Sequence, residues 1–215
     1  MQRVKEKEDK KKEILDVAEE LFLSEGYENA SMRKIAQRAG ISIGLVAYHY
    51  KSKRELALVV VGTIFQKLVL LAKQAVSQKE DPLLYSAVLI RLDNAFFAQK
   101  KYSLFYQDIL KEDILTDVII ETGNETSFYI RDKYCPMISD EKTEQIGWYM
   151  NYISASMERT LTLYGKKHAM IQGDVAEFIA KSALSMWRFE NASEEITRAV
   201  HESKAIVQKI MAPLT

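Results

Sequence analysis

Cysteine is almost missing: Cys135 has no second cysteine to pair with, so no internal disulfide is available. The three histidines, His49, His168 and His201, are scattered, and no Cys/His spacing suited to metal exists. Neither a metal nor a cofactor is therefore expected. Proline and glycine are scarce too, three and eight in 215 residues, which removes the punctuation that many short strands need and favours long helices. A long hydrophobic run is also lacking. The longest apolar stretch, Leu56 to Phe65, is ended by Gln66 and Lys67, short of the roughly 20 residues of a membrane span. The opening MQRVKEKEDKKKE alternates charges where a secretory signal needs an apolar core. Net charge is missing as well, because 30 Lys and Arg face 30 Asp and Glu, which argues against a uniformly basic coat protein or an acidic tail. A soluble protein of the cytoplasm, with no membrane partner, is expected.

What is present is helical periodicity. From Lys10, the residues Ile14, Val17, Ala18, Leu21 and Phe22 recur at three and four positions, and Gly26 is placed to end that helix. Residues 1–12 are polar and expected to fray at the start. Ser31 can cap a short helix that stops at Gly40, and Ser42 a third running to about Tyr48. Ser52-Lys53-Arg54-Glu55 has the capping-box pattern and opens a long apolar segment to about Val76. Further helices are predicted from Pro82 to about Lys100, Tyr102 to Glu112, Ile114 to Tyr134 with Gly123 weakening it, Asp140 to Tyr164, Asp174 to Glu190, and Ser193 to Met211. The class is all-α, with no convincing period-two alternation.

The segment SMRKIAQRAGISIGLVAYHYKSKREL, Ser31 to Leu56, has the skeleton of a helix-turn-helix. Ile35 and Val46 are placed to bury between two crossing helices, Ala36 is small where they approach, Gly40 permits the turn, and Ile41 follows it. The segment carries six bases, Arg33, Lys34, Arg38, Lys51, Lys53 and Arg54, against one acid, Glu55, a local excess of five positive charges in a neutral chain. Duplex DNA selects such a footprint, because phosphate contacts release condensed counterions.

These residues resemble the TetR family of bacterial transcriptional repressors over roughly residues 10–60. The likeness lies in Ile14-Leu15-x-x-Ala18-x-x-Leu21-Phe22-x-x-x-Gly26-Tyr27, in Ile35-Ala36, in Ala39-Gly40-Ile41-Ser42, and in Tyr48-His49-Tyr50-x-Ser52-Lys53-x-x-Leu56. The resemblance implies a helix-turn-helix DNA-binding domain over residues 1–52 and a larger helical effector-binding and dimerisation domain over 53–215. It implies DNA contacts from Ser31, Arg33, Ser42, Ile43, Gly44, Leu45, Tyr48, His49 and Lys53, with Arg33 on a guanine edge and Tyr48, His49 and Lys53 on phosphates. Ile43 and Leu45 depart from the polar residues frequent there, which suggests an operator with thymines opposite them. Other readings stand beside these: Arg33 and Arg38 as solvated charges, His49 packed against the first helix, Tyr50 in the core, and Ser31 and Ser52 as caps.

Beyond Leu56 no catalytic constellation is visible, Cys135 reads as an inert thiol, and the protein is not expected to be an enzyme. Aromatic residues crowd the middle of the chain, and core packing is one reading of them. The resemblance implies a ligand pocket there, for which Phe97, Phe105, Phe128, Trp148, Tyr149, Tyr152 and Arg159 are the candidates, with Glu158 as a second polar candidate if it turns inward. It also implies that the last two helices dimerise, through Ser182, Ser185 and the seam Ile196, Val200, Val207 and Ile210, unless that seam packs within its own subunit. The expected partners are double-stranded operator DNA, a small, largely apolar or aromatic effector, and a second copy of the chain. The expected function is repression relieved by that effector, in a bacterial protein that joins the nucleoid when bound to its operator. A helical regulator answering to a protein partner, or a helical enzyme or carrier without DNA binding, are the alternatives.

Overall fold

The computed structural model describes residues 2–121, 124–168 and 173–214. All regular structure among them is helical: α1 Gln2–Glu25, α2 Met32–Arg38, α3 Ile43–His49, α4 Lys53–Ala75, α5 Pro82–Phe97, a 3-10 turn Lys100–Tyr102, α6 Ser103–Lys111, α7 Ile114–Glu121, α8 Glu125–Tyr134, α9 Asp140–His168, α10 Val175–Leu184 and α11 Ala192–Met211. The charged first turns, expected to fray, are helical from Gln2, with Lys10 and Glu13 paired at 2.6 Å one turn apart. The predicted Ile114–Tyr134 helix is two, α7 and α8, and residues 122–123, including Gly123, lie outside the described residues. The segment expected to run to Glu190 stops at Leu184, and α9 continues four residues past Tyr164 to His168.

The chain divides into two compact units, Met1–Ile64 with Lys100–Leu115, and Phe65–Gln99 with Thr116–Thr215. The first is wider than the expected 1–52 because α6, distant in sequence, packs on α1: Phe105 stacks on Phe22 at 5.9 Å, and buried Asp108 accepts the Glu28 N–H at 3.1 Å. Its core gathers Ile14, Ala18, Phe22, Ile35, Val46, Tyr50, Leu56 and Val60, all buried. By length and apolarity α4 is the one described helix that could cross a membrane, yet its inner face, Leu56, Val60, Ile64, Leu68 and Ala72, is core.

In the second unit α5 is the central element, packed by α8, α10 and α11, while α9 packs on α8 and α10. Two aspartates each do two jobs here. Asp81 caps α5 by accepting the Leu84 N–H at 3.2 Å and pairs with Arg198 of α11 at 3.0 Å. Asp174 caps α10 by accepting the Glu177 N–H at 3.0 Å and pairs with Arg91 of α5 at 2.5 Å. Arg91 is buried and also donates through Nε to Ser203 Oγ at 3.1 Å, so it ties α5, α10 and α11 together.

The proposed dimer seam is corrected by this arrangement. Ile196, Val200 and Val207 are buried on the side of α11 that carries Ser203, against α5 of the same chain, and Ile210 is half-buried. An i, i+4, i+7 stripe records that one helix face is covered, and not by which chain. Ser185 is exposed, its hydroxyl donating to the Lys181 carbonyl, and Ser182 is half-buried.

Candidate functional site

The crossing of α2 and α3 is built as its residue types require. Ser31 caps α2, accepting the Lys34 N–H at 3.2 Å, and Ser42 caps α3, accepting the Leu45 N–H at 3.2 Å. Between them the chain makes a Schellman turn, with Ile41 N–H on the Ala36 carbonyl at 3.0 Å and Gly40 N–H on Gln37 at 3.3 Å. Gly40 adopts φ +64, which any side chain would strain. Ile35 and Val46 are fully buried at the crossing and Ala36 nearly so. The outward surface carries Arg33, exposed and without a hydrogen bond or ion pair among the described residues, half-exposed Ile43, exposed Gly44, half-buried Leu45, and Tyr48, 67% exposed. His49 is half-buried with its ring edge-on to Tyr48 at 5.2 Å, and Lys7 Nζ lies 5.1 Å above the Tyr48 ring. Tyr50 is core, with burial first, then Glu55 and Glu8, pushing its hydroxyl up.

The bases of this segment are not equivalent. Lys34 pairs with Glu25 at 2.8 Å and Arg38 with Glu20 at 2.5 Å, both acids of α1. Lys53, expected on phosphate, turns inward: its ammonium donates to the carbonyls of Tyr27 at 2.9 Å, Ala30 at 3.2 Å and Glu28 at 3.4 Å and sits 4.1 Å above the Tyr27 ring. It closes the α1–α2 turn, whose free carbonyls a local sequence pattern cannot show. The capping box at the start of α4 forms in a shifted version: Ser52 accepts the Glu55 N–H at 3.0 Å, and Glu55 accepts the Lys51 N–H at 2.7 Å.

The second unit contains a cavity of about 260 Å³. Its walls are Phe65, Val69 and Lys73 of α4, Gln78 of the α4–α5 connection, Tyr85, Ser86, Leu89, Ile90 and Asp93 of α5, Ile119 of α7, Asn124 to Ser127 at the start of α8, and Met150, Asn151, Ser154 and Glu158 of α9. None of the seven residues proposed from sequence lines it. Phe97 is buried core, Phe105 belongs to the first unit, and Phe128 and Trp148 border a separate open hollow, with Arg131 5.2 Å from the Phe128 ring. Trp148, Tyr149 and Tyr152 lie on the exposed side of α9, Trp148 stacked on Tyr152 at 5.5 Å, and Arg159 is half-buried. Aromatic content alone did not mark the cavity, because large rings fill space and small polar residues leave it open. Glu158 does turn inward. Asp93 was missed, although a carboxylate four residues after Leu89 on a buried face is a readable anomaly.

Asp93 and Glu158 are each 3% exposed and hydrogen-bonded to one another. Burial first, then the Glu158 charge and that hydrogen bond, raise the Asp93 carboxyl well above its ordinary range. Burial, with the Glu125 charge, pushes the Tyr85 hydroxyl up to about 12. Gln78 donates to Thr126 at 2.6 Å, and Lys73 pairs with Glu125 at 3.6 Å. Gly147, one turn before Asn151, lets α8 approach α9 closely, since a Cβ there would collide with Ser127 and Asn124.

A capped, glycine-turned pair of crossing helices with an exposed base and apolar tip defines a helix-turn-helix protein. Residues 14–60 match the family described as "Bacterial regulatory proteins, tetR family", so the helix-turn-helix segment of the chain is similar to that family's. Among curated proteins it is similar to the HTH-type transcriptional activator FasR of Mycolicibacterium smegmatis, 35% identical over 75 residues, 35% of this chain and 34% of that protein. The alignment thus spans about a third of the length of the relative it matches. Among solved structures it is similar to RolR in complex with the ligand resorcinol, at TM-score 0.66, 13% identity and 96% of both chains. It is also similar to SmeT, the repressor of the Stenotrophomonas maltophilia multidrug efflux pump SmeDEF, at TM-score 0.57, 14% identity, 85% of this chain and 92% of that one. These structures share the fold.

Proposed function

We propose that this protein is a cytoplasmic, non-enzymatic transcriptional repressor that binds operator DNA as a homodimer and releases it when a small molecule occupies the cavity of the second unit. The observation that carries the reading is the pairing, within one chain, of a helix-turn-helix that keeps an exposed base and exposed apolar residues on its outward surface with a partly open cavity, apolar-walled and carrying a few polar groups, in a separate unit. Arg33 is available for a guanine edge, Ile43 and Leu45 for thymine methyls, and Tyr48 for phosphate. Two copies are required, because half-sites lie about one helical turn, near 34 Å, apart. The exposed rings of α9, Trp148, Tyr149, Tyr152 and Tyr164, and Phe178 of α10 are the apolar surface that a second copy would cover. Ligand shifts the population between operator-competent and incompetent conformers, and α4 is continuous through the residues of both units. The resorcinol carried by RolR is a single-ring molecule, in keeping with a cavity of this volume.

Mobility-shift titration with the DNA upstream of its own gene, repeated at raised salt, tests the reading. Salt-dependent binding to one duplex over an unrelated one supports it; no duplex binding from low to moderate salt rejects it. Activation is the second reading, favoured by the curated relative FasR, and a reporter fused to that upstream DNA separates the two by the sign of its response to deleting the gene.

A further inference from the structure

Helix α1 begins well before the core it serves. Ile14, Ala18 and Phe22 are buried in the first unit, and the same helix face, continued three and seven residues toward the N-terminus from Ile14, carries Lys11 and Lys7. Lys7 therefore stands about 10 Å along the helix beyond Ile14. These turns overhang the end of α3: the Tyr50 hydroxyl donates to the Lys11 carbonyl at 3.4 Å, and Lys7 Nζ lies 5.1 Å above the ring of Tyr48. Both lysines are exposed, and neither has an ion pair among the described residues. Asp9 falls on the far side of the helix from Lys7, and Glu13 is taken by Lys10 at 2.6 Å. Glu8, whose charge reaches the Tyr50 hydroxyl, offsets part of the lysines' charge.

We propose that Lys7 and Lys11 form a phosphate clamp, by which the protruding turns of α1 carry the DNA-binding surface past the helix-turn-helix onto the backbone beside each half-site. This rests on the reading of Arg33, Ile43, Leu45 and Tyr48 as the DNA-facing surface and adds a second point of grip to it. Duplex DNA carries one negative charge per about 1.7 Å of its axis, so an ammonium beside Tyr48 has a phosphate in reach whenever Tyr48 does. Lysine suits the task, because a point charge on a flexible stem follows the backbone without regard to base sequence. Two like charges four residues apart on one helix face repel each other, and a polyanion laid across them removes that repulsion. The clamp is also held in place before DNA arrives: α1 is helical from Gln2, and Tyr50, itself in the core, ties the Lys11 turn to the end of α3. Binding then has little chain to order.

The test is the salt dependence of binding, measured with the full chain on the DNA upstream of its own gene and on an unrelated duplex of equal length, for the parent, K7Q/K11Q, K7R/K11R and K12Q. Each phosphate contact contributes about 0.9 to the slope of the logarithm of the binding constant against that of salt, so loss of two lysines from each copy of a dimer is expected to flatten it by about 3–4. K7Q/K11Q is expected to weaken both duplexes by the same factor, and K7R/K11R to keep the parent slope. K12Q, which removes a base on the side of α1 away from Ile14, is expected to leave the slope as it was. An unchanged slope in K7Q/K11Q overturns the proposal, as does an equal change in K12Q or a loss confined to the upstream duplex. Circular dichroism and melting of K7Q/K11Q are expected to match the parent, since both side chains are exposed; lowered helicity would make the pair structural and overturn it too. The parent keeps the two readings apart. If it binds DNA and K7Q/K11Q binds with the same slope, the clamp falls and the regulator stands; a parent that binds no duplex from low to moderate salt removes both.

Discussion

Of the six bases between Ser31 and Leu56, Lys34 and Arg38 are paired with α1 acids and Lys53 is engaged by three carbonyls, whereas Arg33 is solvent-facing. Two substitutions separate these situations. Arg33→Ala should remove about 1–3 kcal/mol of discrimination between operator and unrelated DNA, read by competition mobility shift; equal loss on both duplexes would reassign Arg33 to phosphate. Lys53→Ala should instead lower stability by about 1–2 kcal/mol through the opened α1–α2 turn and leave the salt slope of DNA binding unchanged. Asp93 gives a pH effect whose sign follows from its direction of shift. A carboxyl raised in the folded state binds its proton more tightly there than in the unfolded chain, so it costs stability as pH climbs from its ordinary value of about 3.9 toward the raised one. Denaturant melts from pH 5 to 8 should show the parent losing stability relative to Asp93→Asn as pH rises; parallel curves would mean the pair is ionised in both states. At this scale residue types were legible in the sequence, but their partners were not.

Among the elements, helix starts were the most legible feature, because a cap and its first turn lie within four residues: Ser31, Ser42, Ser52 and Pro82 each open a helix where expected. The double use of caps was not legible. Asp174→Ala should cost about 3–5 kcal/mol by chemical denaturation, since it uncaps α10 and strands a buried guanidinium. Asp81→Ala should cost only about 1–2 kcal/mol, because Arg198 keeps Glu195 and Glu202. If the two variants melt alike, Arg91 is better solvated than its burial indicates. Gly147→Ala should cost about 1–3 kcal/mol by pushing Ser127 and Asn124 away from α9, and should weaken ligand response by distorting the cavity wall.

For the whole molecule, the zero net charge of the chain is an average that hides the local excess of five positive charges between Ser31 and Leu56, and that excess is itself reduced by Glu20 and Glu25. Assembly is the property tested at this scale. Trp148→Glu should shift the species seen by light scattering from dimer toward monomer and abolish operator binding, while circular dichroism stays helical; an unchanged dimer would place the interface elsewhere. The sequence by itself determined the all-α class, the helix starts and the helix-turn-helix pair, because each depends on residues within one or two helical turns of one another. Only the tertiary structure decided which chain covers the α11 seam, that α6 joins the first unit, and that the cavity is lined by Asp93, Glu158, small polar residues and apolar residues such as Phe65, Val69, Leu89 and Met150 instead of the proposed aromatic cluster. Those outcomes turn on which faces of distant helices meet, and periodicity shows that a face is buried without saying against what.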